Sequence, residues 1–123
     1  MKRVLVIDDD KMIQESAVFC LRKEGFEVIT ADDGHQALDL VDRYRIDVIV
    51  CDIIMPKMSG LGLISLLKNF YLNRIPVIMI SSMDKGDVVL SAIDMGADYF
   101  MAKPLDYEEL VTKVKELCEN NPV

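Results

Sequence analysis

The chain has 123 residues, of which 51% are apolar, and its formal net charge is −7. This length suits one domain with a single hydrophobic core, and the composition excludes disordered and fibrous proteins. No apolar run is long enough to span a bilayer, and the negative charge argues against binding of nucleic acid by this domain.

The first half of the chain alternates between predicted strands and helices. Val4–Ile7 is a short apolar run, typical of a strand that is buried on both faces. Apolar residues then recur every four positions over Ile13–Leu21, which indicates a helix, and Gly25 is a typical helix stop. Glu27–Thr30 is a weaker strand candidate, and a second helical pattern covers Leu38–Tyr44.

The second half repeats this alternation. The remaining predicted strands are Val48–Cys51, Val77–Ile80 and, more weakly, Tyr99–Met101. The remaining helical patterns are Leu63–Phe70, Val88–Met95 and Leu110–Leu117. Asp106 is placed to cap the last helix, with Glu109 in position for a capping box. Five strand–helix pairs predict an α/β fold in which helices cover both faces of a parallel sheet, joined by right-handed crossovers.

Polar side chains follow four of the five predicted strands. They are Asp8, Asp9 and Asp10 after the first strand, Asp52 after the third, Ser81 and Ser82 after the fourth, and Lys103 after the fifth. In an open parallel sheet, ligands bind beyond the carboxyl ends of the strands, where the winding direction reverses. We therefore expect these side chains to share one pocket.

This set of residue types suits phosphoryl transfer. Clustered carboxylates repel one another unless a cation lies among them, and an oxygen-rich site of this kind suits Mg²⁺. A carboxylate can also accept a phosphoryl group if other groups offset the charge on its oxygens. Asp52, at the end of the central strand, is the expected nucleophile, while Lys103 and the Ser81 hydroxyl are expected to stabilise the phosphoryl group.

Other polar residues have simpler interpretations. Asp10 is expected mainly to cap the first helix, and Ser82 either caps a helix or acts through its backbone N–H. His35, the only histidine, is expected on the surface. The three cysteines share no metal-ligand spacing, so they are expected to be buried thiols in a reducing cytoplasm; they are Cys20, Cys51 and Cys118. The amino terminus lacks the pattern of a signal peptide, so we expect no export.

These motifs together resemble the receiver domains of two-component response regulators. The resemblance covers Lys2 to about Leu117. The segments that carry it are Val6–Asp10, Cys51–Gly60 with its Met55-Pro56 pair, Val77–Ser82, Gly96–Phe100 and Lys103–Leu105. We expect a receiver domain over residues 1–119, followed at 120–123 by a tail or the start of a linker.

The resemblance implies a flavodoxin-like fold with strand order 2-1-3-4-5, and phosphorylation of Asp52 by a sensor histidine kinase or a histidine phosphotransfer protein. It implies Mg²⁺, or Mn²⁺ in its place, bound by Asp8, Asp9, Asp52 and the Ile54 carbonyl. Ser81, Ser82 and Lys103 would bind the phosphoryl group, and the bond before Pro104 would be cis. The domain would assist its own phosphorylation and dephosphorylation without being an enzyme.

The resemblance also implies a switch. Ser81 would move toward the phosphoryl group, Phe100 would turn inward, and the face of the fourth helix, fifth strand and last helix would change for a downstream partner, an attached effector or a second copy of the chain. The alternative for Phe100 is a fixed core residue. Ile54 and Met83, which flank the attacking water in the family, are apolar here, so phosphoryl-Asp52 is expected to last minutes or more.

Three alternatives belong to other classes. A hydrolase of the haloacid dehalogenase type would need threonine where Met12 stands in its Asp-x-Asp-x-Thr motif, and it would carry a cap domain. A flavodoxin would need a hydroxyl-rich phosphate loop in place of Asp8–Asp10. The third alternative is a receiver-like interaction module that is no longer phosphorylated.

Overall fold

A computed structural model of the chain describes residues 1–53, 59–70, 75–82 and 86–119. Five strands alternate with five helices in these ranges, as the sequence predicts. The elements are β1 (Arg3–Ile7), α1 (Lys11–Lys23), β2 (Glu27–Ala31), α2 (Gly34–Arg43), β3 (Val48–Asp52), α3 (Gly60–Phe70), β4 (Val77–Ser81), α4 (Gly86–Asp94), β5 (Tyr99–Ala102) and α5 (Tyr107–Glu119). No helix in the described ranges is long and apolar enough to cross a membrane.

The strands form one parallel sheet in the order β2-β1-β3-β4-β5, which confirms the expected topology. β3 and β4 each continue one residue beyond the predicted apolar run, so Asp52 and Ser81 are the last strand residues. Backbone pairing explains the extension, because the Ile53 N–H still donates to the Ile80 carbonyl at 2.9 Å and the Lys103 N–H to the Ser81 carbonyl at 2.8 Å.

Helices cover both faces of the sheet. One apolar cluster joins alternate strand residues to α2, α3 and α4, and it includes Leu5, Ile49 and Met79. The other joins the intervening residues to α1 and α5. Since every residue of β3 and β4 is buried, the continuous apolar runs follow from two-sided packing.

The helix ends agree with the sequence except in one detail. The Asp10 carboxylate accepts from the Met12 N–H at 2.9 Å, as expected of a cap. Gly25 ends α1 with a φ of 95°, a conformation that favours glycine. Asp106 accepts from the N–H groups of Glu108 and Glu109, but the predicted capping box is wrong: the Glu109 carboxylate accepts a hydrogen bond from the Tyr99 hydroxyl.

Candidate active site

Three carboxylates meet at the carboxyl edge of the sheet. Ile7 of β1 pairs with Cys51 of β3, so Asp8 and Asp52 follow these positions on neighbouring strands, where the winding direction reverses. Asp8, Asp9 and Asp52 each offer an oxygen within 4.8 Å of the others. Asp8 is fully buried and Asp52 is 5% exposed, whereas Asp9 is exposed. The expected acidic pocket is therefore present among these residues.

Lys103 bridges two of these carboxylates from the end of β5. Its Nζ lies 3.0 Å from Oδ2 of Asp52 and 3.2 Å from Oδ2 of Asp8. Its N–H is bonded to the Ser81 carbonyl, which fixes the start of its side chain beside β4. The Lys103–Pro104 bond is cis, as expected. The lysine ammonium thus provides one positive charge for the two buried carboxylates.

Charge balance in the pocket is incomplete. Burial raises the pKa of Asp8, and the Asp52 charge adds to this, although the Asp10 N–H and Lys103 oppose it. Burial alone would lower the pKa of Lys103, but its bonds and charge interactions with Asp52 and Asp8 outweigh burial and raise it. Asp8 Oδ2 is buried, and its 3.2 Å contact with Lys103 Nζ is an ion pair without the alignment of a good hydrogen bond. A second cation would suit this oxygen.

The two serines after the fourth predicted strand differ in exposure. Ser81 is fully buried at the end of β4, and Ser82 is exposed. Asp52 pairs with Ile80, so Ser81 lies one position further along the neighbouring strand, opposite Ala102 of β5. Ser81 therefore lies between the strands that carry Asp52 and Lys103.

Gly60 contacts the backbone that follows β3, next to Asp52. Its N–H donates to the Ile53 carbonyl at 2.7 Å, and the Ser59 hydroxyl accepts from the Gly62 N–H at 3.0 Å at the start of α3. A Cβ atom at position 60 would lie 2.2 Å from the Asp52 carbonyl oxygen. The glycine in the acceptor motif is therefore needed for close backbone approach.

Gln14 is a buried polar residue of this region that the sequence pattern missed. Ile13 is half-buried and packs against the cluster that joins α1 and α5, as its spacing suggested, but the most deeply buried residues of α1 are Gln14, Ala17 and Leu21. The carboxamide of Gln14 donates to the Asp8 carbonyl at 2.5 Å. The available signal was that Gln14 lies three positions before Ala17, and so on the same face of the helix. A polar group buried on that face requires hydrogen-bond partners.

The remaining predicted residues lie in varied environments. Phe100 is half-buried and packs against the cluster that includes α3 and α4. His35 is exposed, as expected. The cysteines are all free; Cys51 and Cys118 are buried, but Cys20 is only partly buried. Ile54, Met83 and residues 120–123 lie outside the described residues.

Comparison with known proteins agrees with this geometry. The family model of the response regulator receiver domain matches residues 4–115. The response regulator MprA of Mycolicibacterium vanbaalenii is 34% identical over 94% of this chain and 49% of its own length. The transcriptional regulatory protein CpxR of Escherichia coli K12 is 34% identical over 98% of this chain and 51% of its own length. The chain thus spans about half the length of these relatives.

Solved structures give the same result. The Francisella response regulator 1452 receiver domain has a TM-score of 0.93 with 32% identity, and the match covers 98% of both chains. The Vibrio cholerae chemotaxis protein CheY4 has a TM-score of 0.88 with 28% identity, over 95% of this chain and 98% of that one. The chain belongs to the receiver domain family of two-component response regulators.

Proposed function

We propose that Asp52 is the phosphoryl acceptor of this receiver domain. The observation that carries the proposal is the contact of Lys103 Nζ with Oδ2 of both Asp52 and Asp8 at a buried edge of the sheet. A carboxylate held beside a fixed cation is suited to attack phosphorus, because the cation offsets charge on the phosphoryl oxygens. Asp52 is also at the end of a central strand, which fixes its position.

Phosphoryl transfer would proceed by displacement at phosphorus. An Asp52 oxygen forms the new O–P bond while the N–P bond of a donor phosphohistidine breaks, and the electron pair of that bond leaves with the imidazole nitrogen. Lys103 then pairs with a phosphoryl oxygen. The Ser81 hydroxyl and the Ser82 N–H are proposed as further donors to the phosphoryl group.

The acidic cluster supports Mg²⁺ as the cofactor, with Mn²⁺ as a substitute. Asp8, Asp9 and Asp52 supply oxygens close enough to share one ion, and the buried Oδ2 of Asp8, whose only ion-pair partner among the described residues is Lys103, suits a hard cation. The Ile54 carbonyl remains a proposed fourth ligand. When bound, Mg²⁺ would neutralise charge on the phosphoryl oxygens.

Phosphorylation is proposed to change the face formed by α4, β5 and α5. Ser81 and Phe100 are the proposed switch residues, because Ser81 lies beside the pocket at the end of β4 and Phe100 of β5 packs against the cluster that includes α4. Leu90 and Ile93 of α4 are 63% and 52% exposed, which supports a face that a partner covers. That partner would be a downstream protein, an attached effector or a second copy of the chain.

The wider assignments follow from the family. The domain would act in the cytoplasm, where a sensor histidine kinase or a histidine phosphotransfer protein would supply the phosphoryl group. The receiver would occupy residues 1–119, and residues 120–123 would begin a tail or linker. The relatives named above are about twice as long, and one is a transcriptional regulatory protein, which supports an attached effector in a longer form of the chain. The domain itself would act as a signalling phosphoacceptor.

The test is labelling with acetyl phosphate and Mg²⁺, followed by intact-protein mass spectrometry. Wild-type protein should gain one phosphoryl group, and Asp52→Asn should gain none. Asp39→Asn is the matched control, since Asp39 is an exposed carboxylate of α2 outside the pocket, and it should label fully. Full labelling of Asp52→Asn would refute the assignment, and no labelling of any protein would favour an interaction module that is not phosphorylated.

A further inference from the structure

Gln14 connects the acidic loop to the neighbouring strand. Its side chain is only 5% exposed, and a buried carboxamide is costly unless its polar atoms are bonded. The Nε2 atom donates to the Asp8 carbonyl at 2.5 Å, to the Ala31 carbonyl at 3.1 Å and to Oδ1 of Asp32 at 2.9 Å. Because all three partners are oxygens, the NH₂ group faces them, and its two hydrogens are shared among the three.

These bonds join the carboxyl ends of β1 and β2. The Ala31 carbonyl accepts from the Asp8 N–H at 3.2 Å as well as from Gln14, so both strand ends are tied to the first turns of α1. The hydrogen-bond network continues toward the surface through Asp32. The Asp32 carboxylate forms an ion pair with Lys11, and the Asp32 N–H donates to the Gln36 side chain at 2.9 Å. Gln14 is thus the buried centre of a network around the acidic loop.

We infer that Gln14 is a positioning residue for the magnesium ligands Asp8 and Asp9; this inference rests on the proposed function. The Asp8 carboxylate accepts from the Asp10 N–H at 2.9 Å, so its direction depends on the turn that follows β1. Gln14 donates a hydrogen bond to the Asp8 carbonyl at the start of that turn. Groups that orient metal ligands commonly change metal affinity by about 10- to 100-fold when removed.

The test measures Mg²⁺ affinity in the folded protein by titration calorimetry, with displacement of Mn²⁺ followed by electron paramagnetic resonance as a second measurement. Gln14→Met keeps the length of the side chain and removes its donors. We expect its dissociation constant for Mg²⁺ to rise about 10-fold or more. Asp32→Asn keeps an oxygen acceptor for Gln14 but removes the charge that pairs with Lys11, and it should bind Mg²⁺ within about twofold of wild type.

Val114→Ala is the control for lost stability. Val114 of α5 is fully buried in the apolar cluster that joins α1 and α5 on one face of the sheet. Its truncation should destabilise the fold without changing Mg²⁺ affinity. If Gln14→Met does not unfold cooperatively, Gln14→Asn replaces it, since its shorter amide would not reach the Asp8 carbonyl. Wild-type affinity in the folded Gln14 variant overturns the inference alone. Failure of wild-type protein to bind Mg²⁺ overturns the proposed function as well.

Discussion

Gly60 packs so closely on Asp52 that a Cβ atom at position 60 would lie 2.2 Å from the Asp52 carbonyl oxygen. It would also lie 2.7 Å from the Cα atom of Ile53, so the Asp52–Ile53 peptide itself would have to move. Backbone atoms cannot move aside as the end of a flexible side chain can. The position of Gly60 at the start of α3 and the position of Asp52 at the end of β3 are therefore coupled through this contact.

Gly60→Ala should lower both stability and phosphorylation. Overpacking against fixed backbone should reduce the free energy of unfolding by about 2 kcal/mol, measured by urea denaturation. Labelling by acetyl phosphate should slow because Asp52 is displaced. Gly25→Ala is the control: its φ of 95° makes alanine strained there, but no atom is within 4 Å of the added Cβ. It should lose about 1 kcal/mol and label at the wild-type rate.

Lys103→Ala should slow phosphoryl transfer without weakening metal binding. Removal of one group that stabilises developing charge typically costs about 100-fold in rate, and we expect that loss in the labelling rate with acetyl phosphate. Affinity for Mg²⁺ should be unchanged or higher, because the ammonium and the metal ion repel each other. Lys23→Ala, at the end of α1, is the control. An unchanged labelling rate in Lys103→Ala would show that the Lys103 contact has no role in the transfer.

The ion pair between Glu24 and Lys115, 2.6 Å apart, should give stability that depends on pH. The hydrogen bond that the Glu24 carboxylate accepts from Lys115 lowers the pKa of Glu24 below its usual value of 4.5. A lowered pKa in the folded state means that the contribution is present above pH 4.5 and is lost as the pH falls through the folded value. The thermal midpoint of Glu24→Gln should be below that of wild type at pH 6, more so at low salt, and the difference should shrink as the pH falls below 4.5. Equal midpoints at every pH would contradict the contribution.

The three thiols should react at different rates. Burial raises the pKa of the Cys51 thiol, with the charges of Asp52 and Asp8 adding to the effect, and burial likewise raises the pKa of Cys118. Cys20 is more exposed. A disulfide reagent at pH 8 should therefore modify Cys20 first and the other two only on unfolding. Cys20→Ser should remove the fast phase; rapid modification of Cys51 in that variant would contradict its burial.

The sequence predicts the fold well because burial on both faces leaves a continuous apolar signal. Val48–Cys51 and Val77–Ile80 could be assigned as strands from composition alone, since helices cover both sides of the sheet. The capping box of Glu109 could not be excluded, because its actual partner is Tyr99, and that contact depends on how β5 and α5 pack. Local rules of this kind fail where a tertiary contact competes for the same group.

The residues of the candidate site could be predicted where a polar residue directly follows the apolar run of a strand. Asp52 and Ser81 follow short, continuous apolar runs, and parallel topology brings such positions to one edge. Gln14 was missed because two of its partners are the backbone carbonyls of Asp8, just after β1, and Ala31, at the end of β2, whose closeness depends on strand pairing. A helical period of 3.6 residues places both Ile13 and Gln14 toward the sheet, and their residue types gave no sign that Gln14 is the more deeply buried.

The central claim is tested most directly by locating the phosphoryl group. After reaction with acetyl phosphate, an acyl phosphate on a carboxylate can be reduced with borohydride, and peptide mass spectrometry then identifies the modified residue. The account predicts modification at Asp52 alone, only when Mg²⁺ is present during labelling. Modification at another carboxylate, or equal modification without a divalent metal, would contradict it.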